Sequence, residues 1–217
     1  MSENSKEAFQ VERIALFSDA VFAIAITLLI IEIKVPEISK PTDEDLLNAM
    51  LSLIPKFIGF LISFFVIGLY WVSHHRMLKY VDRAGQRLIW ANLLFLLPII
   101  VLPFSTAFFS QYFTEGLHVP LAVYTLNICI TGFFSYRLWG VVANPKYKLG
   151  AGLTQTLLHY NQARAMVIPG IFILALLLSF INPWIPCFVA PLTPVGTMLI
   201  QRYYTRKFPE QILSHLG

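Results

Sequence analysis

The hydrophobic positions of this chain do not alternate with polar ones; they run on for the width of a bilayer. Residues 14–33 carry formal charge only at Asp19 and Glu32, and residues 57–73, 88–114 and 119–136 carry none. The last run, 165–201, contains no Asp, Glu, Lys or Arg. A helix crossing ~30 Å of hydrocarbon needs about 20 mostly apolar residues at ~1.5 Å each. The first four runs meet that length, and the last is too long for one crossing. It divides at Asn182-Pro183-Trp184-Ile185-Pro186, where proline removes a backbone donor and disfavours helix in the residue before it. The pattern therefore predicts an all-α membrane protein with six spans, at about 14–34, 55–75, 88–110, 119–141, 162–181 and 184–204, in one repeat and one domain over 1–217. Pro191 and Pro194 are expected to kink the sixth span. The segment 42–52 (TDEDLLNAMLS) opens with a capping pattern and predicts a short helix along the membrane surface.

Composition agrees with this pattern. Of 217 residues, 57% are hydrophobic and 13% charged, against roughly 45–50% and ~25% in soluble domains; the mean hydropathy is +0.67. A water-soluble globular domain, a disordered chain and a disulfide scaffold are excluded. Cys129 and Cys187 lie in apolar stretches and read as small hydrophobes. No small-residue cleavage site follows the first apolar run, so that segment is expected to stay in the mature protein.

Charge gives orientation. With six crossings, all but Lys34, Lys40 and Lys56 of the 16 Lys and Arg fall on the side of both termini. This asymmetry predicts cytoplasmic N- and C-termini. The net charge of +4 serves topology here, and no nucleic-acid partner is expected. Trp71, Trp90, Trp139 and Trp184 fall near predicted span ends, as an aromatic belt requires.

Chemistry-bearing residues are few. Asp19 sits inside the first span, where a carboxylate costs about 2.5–3.5 kcal/mol on insertion scales and turns toward protein or water. His74, His75 and Arg76 close the second span. Adjacent histidines point in different directions on a helix, so a hydrogen bond from a histidine to Asp19 is expected rather than a metal site. Asn92 opens the third span as an amide in need of partners. Tyr124, Thr125, Asn127 and Thr131 read as glue between helices. No phosphate loop, nucleophile elbow, zinc motif or Cys-x-x-Cys pair is present, so no enzyme activity and no cofactor or resident metal is expected. A Thr-Val-Gly-Tyr-Gly potassium filter is also absent.

The combination Arg13-x-x-x-Phe17-Ser18-Asp19, Trp71-Val-Ser-His74-His75-Arg76, Trp90-Ala-Asn92 and Pro103-Phe104-Ser-Thr106 resembles the transmembrane protein 175 family of potassium channels. The likeness covers roughly residues 13–110. It implies a prokaryotic single-repeat member assembling as a homotetramer in the cell membrane, with the first span of each copy lining a pore for potassium ions. It also implies that the constriction falls five residues after Asp19, at Ile24. At 100° per residue, Ile24, Leu28 and Ile31 lie within about 60° of one another, stacked over ~10 Å. Four copies would then form three aliphatic rings that exclude water and make an ion shed hydration. Thr27, about 60° around from Ile24, is a candidate contributor to selectivity. The family likeness further groups Arg13, Phe17, Ser18, Asp19, Trp71, His74 and Asn92 into a network joining spans one to three. A proton-coupled secondary transporter, with Asp19 and the histidines as relay, and a non-transporting membrane scaffold remain as alternatives.

Overall fold

The computed structural model describes residues 3–150, 153–182 and 184–213. The elements are helical throughout: α1 (Glu3–Ile31), α2 (Asp43–Ser52), α3 (Ile54–Leu78), α4 (Gln86–Gln111), α5 (His118–Val142), α6 (Gln155–Ser179), α7 (Ile185–Val189), α8 (Thr193–Lys207) and α9 (Pro209–Leu213). Among the described residues, α1, α3, α4, α5 and α6 are long and apolar enough to cross a membrane.

Two helices start earlier than the apolar pattern alone indicates. α1 begins at Glu3 rather than at residue 14, because the polar residues before Arg13 are good helix formers and extend it beyond the apolar run. α6 begins at Gln155, where the Thr154 hydroxyl accepts from the Leu157 N–H at 3.2 Å. The surface helix predicted at 42–52 forms as α2. There the Thr42 hydroxyl accepts from the Asp45 N–H at 3.2 Å, and the Thr42 N–H donates to the Asp45 carboxylate at 3.0 Å. This reciprocal pair is a capping box.

The sixth span departs from expectation. Instead of one kinked helix at 184–204, the chain forms α7, a 3₁₀ turn at Ala190–Leu192 and then α8. Pro191 and Pro194 each remove an N–H and push back the carbonyl of the preceding turn, and two so close together break the helix. Pro183, in the predicted turn before it, and the Cys187 side chain lie outside the described residues.

α4 is the hub of the bundle, packing on α1, α3 and α5, while α6 packs on α5 and carries α7 and α8. The core runs through Phe22 and Leu29 of α1, Ile67 and Tyr70 of α3, Phe95, Ile99 and Leu102 of α4, and Tyr124 and Ile128 of α5. Trp139 belongs to this core at 2% exposure, so it is no belt residue. Gly132 lets α5 and α6 approach, since a Cβ there would meet the Pro169 ring and stand 3.1 Å from the Ala165 carbonyl.

Polar residues tie the apolar helices together. The Thr106 hydroxyl donates to Ser63 Oγ at 2.7 Å, and Ser63 Oγ lies 2.9 Å from the Tyr124 hydroxyl. Pro103 denies the Ile99 carbonyl its usual donor and loosens α4. In the orientation that satisfies its amide, Asn127 of α5 bridges this loosened turn. It donates to the Pro98 carbonyl and accepts from the Leu102 N–H, each at 3.2 Å.

Candidate functional site

α1 has two unlike faces. Ser18, Phe22, Ala25 and Leu29 follow one another at spacings of four, three and four, so they share a stripe. They are 0%, 1%, 2% and 2% exposed, buried against α3 and α4. Only 22% of the α1 apolar stretch is buried, against 50% in α4 and α5, so α1 lies at the flank of the bundle.

The buried stripe is fastened by a directional chain of hydrogen bonds. The Ser18 hydroxyl donates to the Ile14 carbonyl at 2.8 Å, and Asn92 Nδ2 donates to Ser18 Oγ at 2.9 Å. With its nitrogen so used, Asn92 offers Oδ1 to His74 Nε2 at 2.7 Å, which makes Nε2 the protonated nitrogen of that ring. Ser18, His74 and Asn92 thus join α1, α3 and α4 at 2% exposure or less. Above them the His74 ring stacks on Phe95 at 5.6 Å and tilts against Phe22 at 5.8 Å. His74 Nδ1 finds no partner among the described residues.

Asp19 is held separately. Its Oδ1 accepts from Trp71 Nε1 at 2.8 Å, and Trp71 packs against His75 at 5.8 Å. The hydrogen bond expected between Asp19 and a histidine is therefore replaced by one from an indole. Trp71 and His74, three residues apart, are neighbours on α3; the more exposed Trp71 reaches Asp19, while the buried His74 turns inward to Asn92. Arg13 and Phe17 are exposed on the other side of α1 and take no part in these bonds.

That other side carries the aliphatic row. Ile24 is 59% exposed, Leu28 38% and Ile31 66%, and Thr27 is exposed with its hydroxyl donating to the Ile24 carbonyl at 2.9 Å. No other element covers this row among the described residues. Among the described residues, no group of three or more His, Cys, Asp or Glu is placed to hold a metal ion.

Phe22 and Phe95 wall the His74 ring; Phe22 has no role in the sequence pattern, and Phe95 enters it only as the end of the motif Trp90-Ala-Asn92-Leu-Leu-Phe. Phe22 lies one turn after Ser18, but the all-apolar run around it gives no contrast from which to read an inner face. The ion pair of Arg83 with Glu7, at 3.1 Å, was likewise invisible, since it joins the start of α1 to the loop after α3.

A chain of Chamaesiphon minutus described as a potassium channel is 34% identical over 187 residues, spanning 84% of this chain and 92% of that relative. The chain belongs to the transmembrane protein 175 family. The family profile described as "Endosomal/lysosomal potassium channel TMEM175" matches residues 13–103, the stretch that holds both faces of α1 and its anchor. A potassium channel of Streptomyces collinus is 40% identical over 129 residues, and this chain spans 62% of its length. Among solved structures, the crystal structure of a lysosomal potassium-selective channel TMEM175 homolog from Chamaesiphon minutus superposes with a TM-score of 0.73 at 32% identity. It covers 88% of this chain and 98% of its own. Members of the TMEM175 family are multi-pass membrane ion channels, not enzymes.

Proposed function

We propose that four copies of this chain form a potassium-selective channel in the cell membrane, with α1 of each copy facing the common axis. The observation that carries the reading is the uncovered row of Ile24, Leu28 and Ile31 on a helix whose opposite face is fastened by hydrogen bonds. Around a fourfold axis this row makes three stacked rings over ~10 Å. Bulky aliphatic rings gate by excluding water, and an ion passes only by giving up part of its shell. Potassium is held less tightly by water than sodium, so the same constriction favours it. Thr27, beside Ile24, offers oxygen lone pairs to a partly dehydrated ion. The Ser18–Asn92–His74 chain and the Asp19–Trp71 bond set the rotation of α1 and hence which side chains meet the axis; Arg13 and Phe17 flank them on the axial side.

Topology completes the proposal. The helical pieces between Ile185 and Lys207 together give a sixth, broken crossing, which membranes tolerate where neighbouring helices satisfy the freed carbonyls. Both termini then lie in the cytoplasm with most of the Lys and Arg. Glu32 and Glu37, just past α1, enrich cations at the outer mouth.

Planar-bilayer recording of the purified protein under opposed potassium and sodium gradients tests the reading. Unitary currents should reverse near the potassium potential and ignore a superimposed proton gradient. Ile24→Asn should raise unitary conductance several-fold and weaken discrimination against sodium, because a polar ring stays wet. Unchanged reversal potential and current size in that variant would remove Ile24 from the constriction. Saturable flux coupled to protons would point instead to a carrier.

A further inference from the structure

We propose that Arg202 and Arg206, with Lys207 beside them, bind the phosphate of an anionic phospholipid whose acyl chains lie along the outer face of α8. That helix has two unlike sides. Ile200 and Tyr204, four residues apart, pack against the small core of Leu157, Tyr160 and Ile212, with the rings of Tyr204 and Tyr160 5.4 Å apart. The other side holds Val195, Met198, Leu199, Arg202 and Arg206, which fall within about 100° of one another around the helix and are all exposed. Along this stripe the character changes once, from three apolar residues to two arginines, and Leu199 and Arg206 stand ~10 Å apart along the axis. A phospholipid has the same order from its chains to its phosphate.

The charges share one crevice. Leu199, Arg202, Tyr203, Arg206 and Lys207 line it, so three cations and no carboxylate face the space. Tyr203 holds Lys207 across its ring: the Nζ donates to the Tyr203 hydroxyl at 3.3 Å and lies 5.6 Å from the ring centre. The helix dipole accounts for basic residues in the last turn of α8, Arg206 and Lys207, but its effect does not reach back to Arg202. Arg202 and Arg206 are one turn apart on one face, where like charges repel, and an anion between them reverses the sign of the interaction. Their guanidinium forks suit the several acceptor oxygens of a phosphate. A choline headgroup would bring a further positive charge into a space already walled by three, so the crevice selects a headgroup that is anionic overall.

Two observations favour a lipid over a free phosphate. Leu199 carries the apolar stripe into the crevice, which puts acyl chains and phosphate on one continuous surface. The basic end of α8 also packs beside the second turn of α6, a helix long and apolar enough to cross the bilayer, at the level where headgroups lie. The inference rests on α8 lying beside that crossing and not on where the pore runs.

Native mass spectrometry of the full-length protein, released from detergent after titration with phosphatidylglycerol or with phosphatidylcholine of the same acyl chains, tests the site. Phosphatidylglycerol should be retained the more tightly, at one molecule per chain. Arg202→Gln with Arg206→Gln should weaken its retention about thirtyfold, the effect of two basic residues at an anionic headgroup. Arg137→Gln with Lys146→Gln, which removes equal charge from exposed positions elsewhere, should leave it unchanged. Undiminished retention in the Arg202, Arg206 double variant overturns the site, as does wild-type protein that retains both lipids alike, a measurement that needs no variant to fold. Inorganic phosphate in excess should not displace the lipid; complete displacement overturns the lipid source and assigns a soluble phosphate. None of these outcomes bears on the currents of Ile24→Asn, so failure here is separable from failure of the pore.

Discussion

Replacing Asn92 by Leu isolates the energy of the anchor. The two side chains share a branched shape and Leu is the larger, so no cavity forms and the loss is chiefly polar. Ser18 keeps its donated bond to the Ile14 carbonyl, and no donor is orphaned on α1. His74 loses the partner of Nε2, and its Nδ1 has none among the described residues. Its ring would then sit between Phe22 and Phe95 with neither nitrogen satisfied. A buried unsatisfied polar group costs about 1–3 kcal/mol in soluble proteins. Between membrane helices the average interaction is about 0.6 kcal/mol and the maximum about 1.7, because the unfolded chain finds other partners. At 2% exposure, out of reach of water, this pair belongs near the top of that range. We expect Asn92→Leu and His74→Phe each to cost about 1.5 kcal/mol. The double variant, which removes both polar groups and keeps the aromatic stack, should cost little more than either alone. The coupling energy is then about 1.5 kcal/mol, a little over tenfold in the unfolding equilibrium. Reversible unfolding in mixed micelles of SDS and dodecyl maltoside, followed by circular dichroism, measures all four corners of the cycle. Single costs that add in the double variant to within about 0.4 kcal/mol would refute the assignment of His74 and Asn92 as a dependent pair.

Two other outcomes follow from local geometry. Gly132→Ala should destabilise the α5–α6 contact by about 1–3 kcal/mol, since the new methyl meets the Pro169 ring, whereas Gly170→Ala, with open space at its Cβ, should not; thermal unfolding in detergent compares them. Hydrogen bonds from the Thr42 side chain and backbone hold the Asp45 carboxyl below its ordinary value of 3.8. Because the folded value lies below the unfolded one, the cap is fully present above the ordinary aspartate range and is lost as pH falls through the lowered value. Protection of the α2 amides, corrected for the intrinsic pH dependence of exchange, should therefore fall in acid, and Asp45→Asn should flatten that dependence.

The spans were legible because hydrocarbon thickness sets a length that any long uncharged run either meets or fails. Their ends were less so: the start of α1 depends on polar helix formers beyond the membrane, which hydrophobicity does not register. Pro186, Pro191 and Pro194 fit a kinked helix and a broken one equally well in sequence, since the choice depends on which neighbours satisfy the released carbonyls. Five residues of the expected network, Ser18, Asp19, Trp71, His74 and Asn92, make the observed bonds while Arg13 and Phe17 take no part in them, and the pairing was not legible. Spacing along one helix says which side chains share a face, but nothing in a sequence fixes the rotation of α3 against α1 and α4. That rotation gives Asp19 to Trp71 and His74 to Asn92. Trp139 was misleading for a related reason, because nearness to a helix end does not say which way the indole turns.

The rotation of α1 itself is the quantity these contacts control. Lipid chains are as apolar as leucine, so burial of Phe22 or Leu29 against α4 rather than lipid fixes the helix only weakly about its own axis. Hydrogen bonds do fix it. Ser18 and Asp19 are consecutive, about 100° apart around the helix, and each is held by a different helix, Ser18 by Asn92 of α4 and Asp19 by Trp71 of α3. Two attachments at such an angle resist rotation in both directions. A turn of about 60° would carry Thr27 to the place of Ile24 and replace an aliphatic ring by hydroxyls, at the cost of both bonds. On the proposed reading, the polar residues that never meet the ion thus decide whether the axis is dry or wet.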